Sequence, residues 1–145
     1  MKKVFYIIGI TIVAISIIVI SIGISLQPKN EANVAYHITL ADLKLYNNGI
    51  FTDNFKIQRG TYQFSFVPNG DSPQNFSILL KGDLFSYNAD FNLQGTIHNT
   101  GISSYYTWDY IGSKVIEVPQ DQEIQIIINP HGNVLGSISV DLRKL

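Results

Sequence analysis

The chain has 145 residues, with 10 Lys and Arg against 11 Asp and Glu, and no cysteine. Charge this evenly balanced, with no basic stripe, excludes electrostatic binding of nucleic acid; the lack of cysteine excludes disulfides, thiolate metal centres and cysteine nucleophiles. Stability then has to come from core packing alone, which a domain of roughly 119 residues can supply.

Residues 1–3 are Met-Lys-Lys, and residues 4–26, VFYIIGITIVAISIIVISIGISL, carry neither charge nor proline. A helix of that length spans roughly 34 Å, enough to cross a hydrocarbon core of about 30 Å. A cleaved signal is the competing reading, but its apolar region would be only about 7–15 residues long and would end at a small-residue site. Residues 21–23 (Ser-Ile-Gly) and 33–35 (Asn-Val-Ala) approximate such a site poorly. The segment is therefore expected to be a retained signal anchor. Lys2 and Lys3 precede it, whereas Lys29 beyond it is offset by Glu31. This bias predicts a cytoplasmic N-terminus, a single span in the cell membrane and an extracellular remainder. Residues 27–33, QPKNEAN, form a short linker opened by Pro28. Seven residues reach only about 23 Å when extended, so the domain at 34–145 is expected to sit close to the headgroups.

From residue 34 the pattern changes to alternation. Strands are expected over 36–45 and 50–58, separated by Asn47-Asn48-Gly49. Tyr62, Phe64 and Phe66 then alternate with Gln63 and Ser65, ahead of the turn-rich Pro68-Asn69-Gly70-Asp71-Ser72-Pro73. Phe76, Ile78 and Leu80 mark a further strand, 84–93 a less regular one, and 103–111 an aromatic one. Ile124, Ile126 and Ile128 define another, the 130–133 turn follows, and 134–142 returns. About eight or nine short strands with regular turns predict an all-β fold, an antiparallel jelly-roll-like β-sandwich, with an up-and-down barrel as the runner-up.

The phrase Gly60-Thr61-Tyr62-Gln63-Phe64 resembles the Gly-x-Tyr-x-Phe strand of two jelly-roll-like modules, the GOLD domain of membrane-trafficking proteins and the bacterial pre-peptidase C-terminal domain; Gly136-Ser137-Ile138-Ser139-Val140 supports the likeness. In style, an Ile- and Asn-rich apolar segment ahead of a cysteine-free sandwich, the chain is similar to N-terminally membrane-anchored β-sandwich proteins of archaea. The resemblance implies a sandwich working outside the cytoplasm and transfers no site residues.

The side chains offer little catalytic chemistry. His37, His98 and His131 share no metal-ligand spacing; His37 is expected in a strand, and His98 and His131 in turns. No G-x-S-x-G occurs, and Asp53, Asp71, Asp83, Asp90, Asp109 and Asp121 are scattered. The 69–72 turn lacks the spaced acidic series of an EF-hand. Asn75-Phe76-Ser77 is a glycosylation sequon. The strongest binding candidates are Tyr105, Tyr106, Trp108 and Tyr110, because aromatic faces stack on sugars and anchor protein interfaces. If Tyr106, Trp108 and Tyr110 fill the core, only Tyr105 and Asp109 remain outside; the opposite register displays the large rings.

The expectation is a non-catalytic protein, with no cofactor, no metal site and no nucleic-acid partner. It would be held in the bilayer by residues 4–26 and display its sandwich to a membrane or cell-surface protein. The alternatives are a carbohydrate-binding module using the Tyr/Trp strand and a histidine-based metal-handling protein.

Overall fold

The computed structural model describes residues 33–145; the expected anchor at 4–26 and nearly all of the linker lie outside the described residues. Among the described residues no helix is long and apolar enough to cross a membrane. The unit Asn33–Leu145 consists of β1 (Val34–Leu40), a single 3-10 turn (Leu43–Leu45), β2 (Tyr46–Asn47), β3 (Ile50–Ile57), β4 (Gly60–Pro68), β5 (Asn75–Lys81), β6 (Ser86–Asn99), β7 (Ser104–Ile111), β8 (Val115–Val118), β9 (Gln122–Asn129) and β10 (Ile138–Lys144). A four-stranded sheet in the order β1-β10-β4-β8 and a six-stranded sheet in the order β2-β3-β9-β5-β6-β7 make an antiparallel β-sandwich.

Alternation along each strand selects the core. Tyr62, Phe64 and Phe66 of β4, Ile138, Val140 and Leu142 of β10, and Ile124, Ile126 and Ile128 of β9 are all buried. Phe76, Phe91 and Tyr110 join them, with Phe66 edge-on to all three rings at centroid distances of 5.2, 4.7 and 5.6 Å. Each such side chain contributes about 1.5–3 kcal/mol by burial, and each aromatic pair adds about 0.5–1.5 kcal/mol. No disulfide is needed to close the fold.

Turn chemistry shapes two corners, one a hairpin and the other a crossing from β9 in one sheet to β10 in the other. Asn48 (φ 51°) and Gly49 (φ 80°) give β2–β3 the two left-handed residues that a type I′ turn requires. At 130–133 the same conformation recurs at His131 (φ 50°) and Gly132 (φ 93°), closed by the Asn133 N–H donating to the Pro130 carbonyl. The turn-rich 68–73 segment carries the chain from one sheet to the other. Asp71 accepts from the Ser137 hydroxyl (2.9 Å), Asn69 donates its side-chain amide to the same oxygen (3.0 Å), and the Ser72 hydroxyl donates to the Ser137 carbonyl. The polar side chains of this turn are thus occupied in holding β4, β5 and β10 together.

Two departures from the sequence reading matter. β8 was not expected, and β6 continues to Asn99, well past the expected end at Leu93. Its partner β5 begins at Asn75, opposite Asn92, and the Leu93 N–H donates to the Gln74 carbonyl just before it. Beyond that point, among the described residues, β6 has only β7 beside it. The six residues 94–99 carry a two-stranded ribbon about 20 Å past the body of the sheet. Val34 pairs near Arg143, and Gly60 pairs with Val118, at one end of the sandwich. β3 reaches Ile57 and β6 starts at Ser86 at that same end, so the ribbon projects from the opposite one.

Candidate functional site

The register of the ribbon sorts its side chains onto two faces. Leu93 pairs with Tyr110, Gly95 with Trp108, Ile97 with Tyr106 and Asn99 with Ser104. Directly paired residues point the same way, and residues two apart share a face. This face is therefore the outward continuation of the core face, starting from Tyr110. The other face carries Gln94 and Asp109, Thr96 and Thr107, and His98 and Tyr105.

The four aromatic candidates part company here. Tyr110 is 0% exposed and donates its hydroxyl to the Pro73 carbonyl, while burial pushes its phenol up to about 12. It is a core residue and stands apart from the other three. Trp108 (52% exposed), Tyr106 (57%) and Tyr105 (53%) are open to solvent. Tyr106 and Trp108 have the inward register, yet the ribbon has outrun the opposing sheet and none of the described residues covers them. Neither of the two registers weighed from the sequence anticipated this.

Trp108 lies flat. A Cβ built on Gly95 would fall 2.9, 3.0 and 3.1 Å from Cζ3, Cη2 and Cε3 of the indole. Near-equal distances to three consecutive ring atoms mean that Gly95 meets the face of the ring and not its edge. Glycine in a strand marks such a close approach, and covering it with a cross-strand aromatic restores packing that its missing side chain cannot give. The Tyr106 ring sits 5.9 Å from the indole centroid, with only 25° between the planes. The two rings form a nearly flat tile on the sheet, each with its outer side in water. At its far end Ser104 donates to the Asn99 side-chain carbonyl (2.5 Å), placing a hydroxyl and an amide beside the rings. On the other face the His98 imidazole stacks on Tyr105 (4.9 Å, 17°), and its Nε2 lies 2.8 Å from the Thr107 hydroxyl. His98, expected in a turn, is thus a strand residue, and Gly95, Ile97 and Asn99 enter the site unanticipated. Ile102, at the tip, is 99% exposed.

No Asp, Glu, Lys or Arg occurs from Leu93 to Trp108. Asp109 and Lys114 pair with each other at 2.8 Å where the ribbon meets the body.

A second polar cluster lies on the outer face of the four-stranded sheet. His37 Nδ1 is 2.5 Å from Asp141 Oδ1, and Arg143 donates to Asp141 Oδ2 at 2.8 Å. Thr39 Oγ1 is 3.5 Å from His37 Nε2 and 2.9 Å from the Ser139 hydroxyl. The connectivity of hydroxyl, imidazole and carboxylate resembles a nucleophile relay, but its parts are spaced as cross-strand pairs of β1 and β10, with His37 opposite Asp141 and Thr39 opposite Ser139. The line lies along an open sheet face, its hydroxyl-to-imidazole link is at the limit of hydrogen bonding, and Arg143 shares the carboxylate. Burial raises the Asp141 carboxyl, and the hydrogen bonds from Arg143 and His37 more than offset this, leaving it below its ordinary value. His131 occupies a turn remote from both other histidines in sequence. Among the described residues no three His, Cys, Asp or Glu side chains group as metal ligands. Two shallow depressions, one lined by Lys56, Gln58, Asp121 and Glu123 and the other by Arg59, Thr61, Phe85 and Glu117, open at the Val34 end of the sandwich.

No protein-family model matches the chain, and no curated protein matches it in sequence.

Proposed function

We propose that the chain is a non-catalytic, single-pass membrane protein that displays a jelly-roll-like β-sandwich outside the cell and engages a cell-surface partner through the β6–β7 ribbon. The observation that carries this reading is the ribbon itself. A two-stranded hairpin outside a core is marginal in water, yet this one leaves Ile97, Tyr106 and Trp108 exposed together on one face. A contiguous apolar surface of this kind marks an interaction site. Placement supports it as well. Val34, the first residue of β1, lies at the end of the sandwich away from the ribbon. Insertion of β10 between β1 and β4, and of β9 between β3 and β5, supports the jelly-roll-like description.

The test is a shortened hairpin in which residues 95–108 are replaced by Asn-Gly, joining the paired residues Gln94 and Asp109 through a two-residue turn. The full chain and this variant are expressed in the native cell and purified in mild detergent. The expected result is membrane recovery of both, near-equal melting temperatures, and loss of the co-purifying surface component from the variant alone. Equal recovery of that component with both proteins overturns the ribbon as the binding element; recovery of the chain in the soluble fraction overturns the anchored reading.

A further inference from the structure

We infer that the Trp108–Tyr106 tile binds a neutral, extended glycan, the faces of successive sugar rings lying on the two aromatic faces. This deepens the proposed function and rests on the ribbon being its binding element.

Three observations select the ligand class. The first is the attitude of the rings. An aromatic anchor at a protein interface works as a knob that fills a pocket in the partner. Trp108 cannot do so while it lies face-down on Gly95; what it offers is its other face. A face with negative π density suits the slightly positive C–H groups on one side of a pyranose ring.

The second is the pair geometry. Two rings with centroids 5.9 Å apart and planes within 25° of parallel, at alternate positions of one strand, present a line of two stacking positions along the ribbon. Sugars joined through equatorial bonds form a flat, extended chain whose ring faces follow such a line. Chains joined through axial bonds curve away from it.

The third is charge. Single-stranded nucleic acid also stacks on aromatic platforms, but it needs Lys or Arg to track its phosphates. From Leu93 to Trp108 there is no charged side chain. The same lack disfavours acidic polysaccharides. The groups that border the tile, Ser104 and Asn99, are neutral donors and acceptors suited to sugar hydroxyls.

Trp108 is the only tryptophan in the chain, so its fluorescence reports the site directly. The full chain is placed in lipid nanodiscs, which avoids detergents with sugar headgroups, and titrated with cellohexaose and chitohexaose, with α-linked maltohexaose as comparison. Retention on insoluble cellulose and chitin is measured in parallel. The expected result is a saturable blue shift with at least one β-linked hexasaccharide and a much smaller response to maltohexaose. Tyr106→Ala should weaken binding by about fivefold or more, and Trp108→Ala should abolish retention on the polysaccharide. Both variants should keep the parent's far-ultraviolet dichroism and melting temperature, since neither side chain belongs to the core. Absence of any shift or retention at millimolar sugar overturns the inference, and so does binding that survives both substitutions. An equal response to maltohexaose overturns the extended-chain specification. If the shortened hairpin loses a co-purifying protein while no sugar binds, the glycan inference falls and the ribbon reading stands. If the hairpin variant loses nothing, the ribbon reading itself falls.

Discussion

A methyl group added at Gly95 would land against the face of the indole. Because the ring atoms concerned are the far end of a side chain, the ring can lift and the backbone need not move. Gly95→Ala is therefore expected to tilt Trp108 into water, shifting its emission to the red and increasing quenching by acrylamide. Global stability should change by less than about 0.5 kcal/mol, because nothing in the core is touched. An unchanged emission maximum would show that the indole does not rest on Gly95. Asp141 gives a second residue-scale prediction. Its carboxylate is held by His37 and Arg143, and its value lies below the ordinary 3.8. A carboxylate with a depressed folded value adds stability that is complete above its unfolded value and is lost as the pH falls through the folded one. Replacing it by Asn should cost about 1 kcal/mol at neutral pH, discounted because both partners reach solvent, or about 4 °C in melting temperature. The gap between parent and Asp141→Asn should close as the pH falls below 3.8, as thermal melts across pH would show. A gap that widens with acid contradicts the assignment.

At the scale of elements, the strands that alternate cleanly in sequence are those buried on one face by the opposing sheet. β4, β5, β9 and β10 were legible because Phe64, Phe76, Ile126 and Val140 each have polar neighbours to set them off. The outer half of β6 was not. Residues 94–99, Gln-Gly-Thr-Ile-His-Asn, face solvent on both sides, so no burial pattern is written into them; only their pairing with β7 makes them a strand. β8 was hidden for another reason, being four residues long and closed by Pro119. For β7 the sequence showed the strand, and of the two parities it left open the one that puts Tyr110 inward is observed. Parity tells which way a side chain points, and it carries no information about where the opposing sheet stops. That boundary separates Tyr110 in the core from Tyr106 and Trp108 in water. Hydrogen exchange provides the corresponding prediction. Amides at 94–99 and 104–109 have a single partner strand and few buried neighbours, so they should exchange well before those of β5 and β9. Equal protection would mean that the ribbon opens only with the whole sandwich.

For the whole molecule, the order of strands sets the order of assembly. β10 lies between β1 and β4, so removing residues 138–145 should leave no cooperative unfolding transition by dichroism, and not merely a weaker one. Partial retention of a sharp transition would show that the six-stranded sheet holds alone. Refolding of the intact domain is expected on the millisecond-to-second scale, since the β1–β10, β10–β4, β3–β9, β4–β8 and β5–β9 pairings all join distant parts of the chain.

The pairing of β1 with β10 has a consequence for the life of the chain before it is folded. Among the described residues β1 has no neighbour other than β10, and the central position of one sheet stays vacant until residues 138–144 have left the ribosome. Synthesis must therefore pass residue 144 before that sheet can shut. Until then β1 waits unpaired for residues 138–144. With no cysteine to trap a wrong partner on the way, the arrival of that segment acts as the latch.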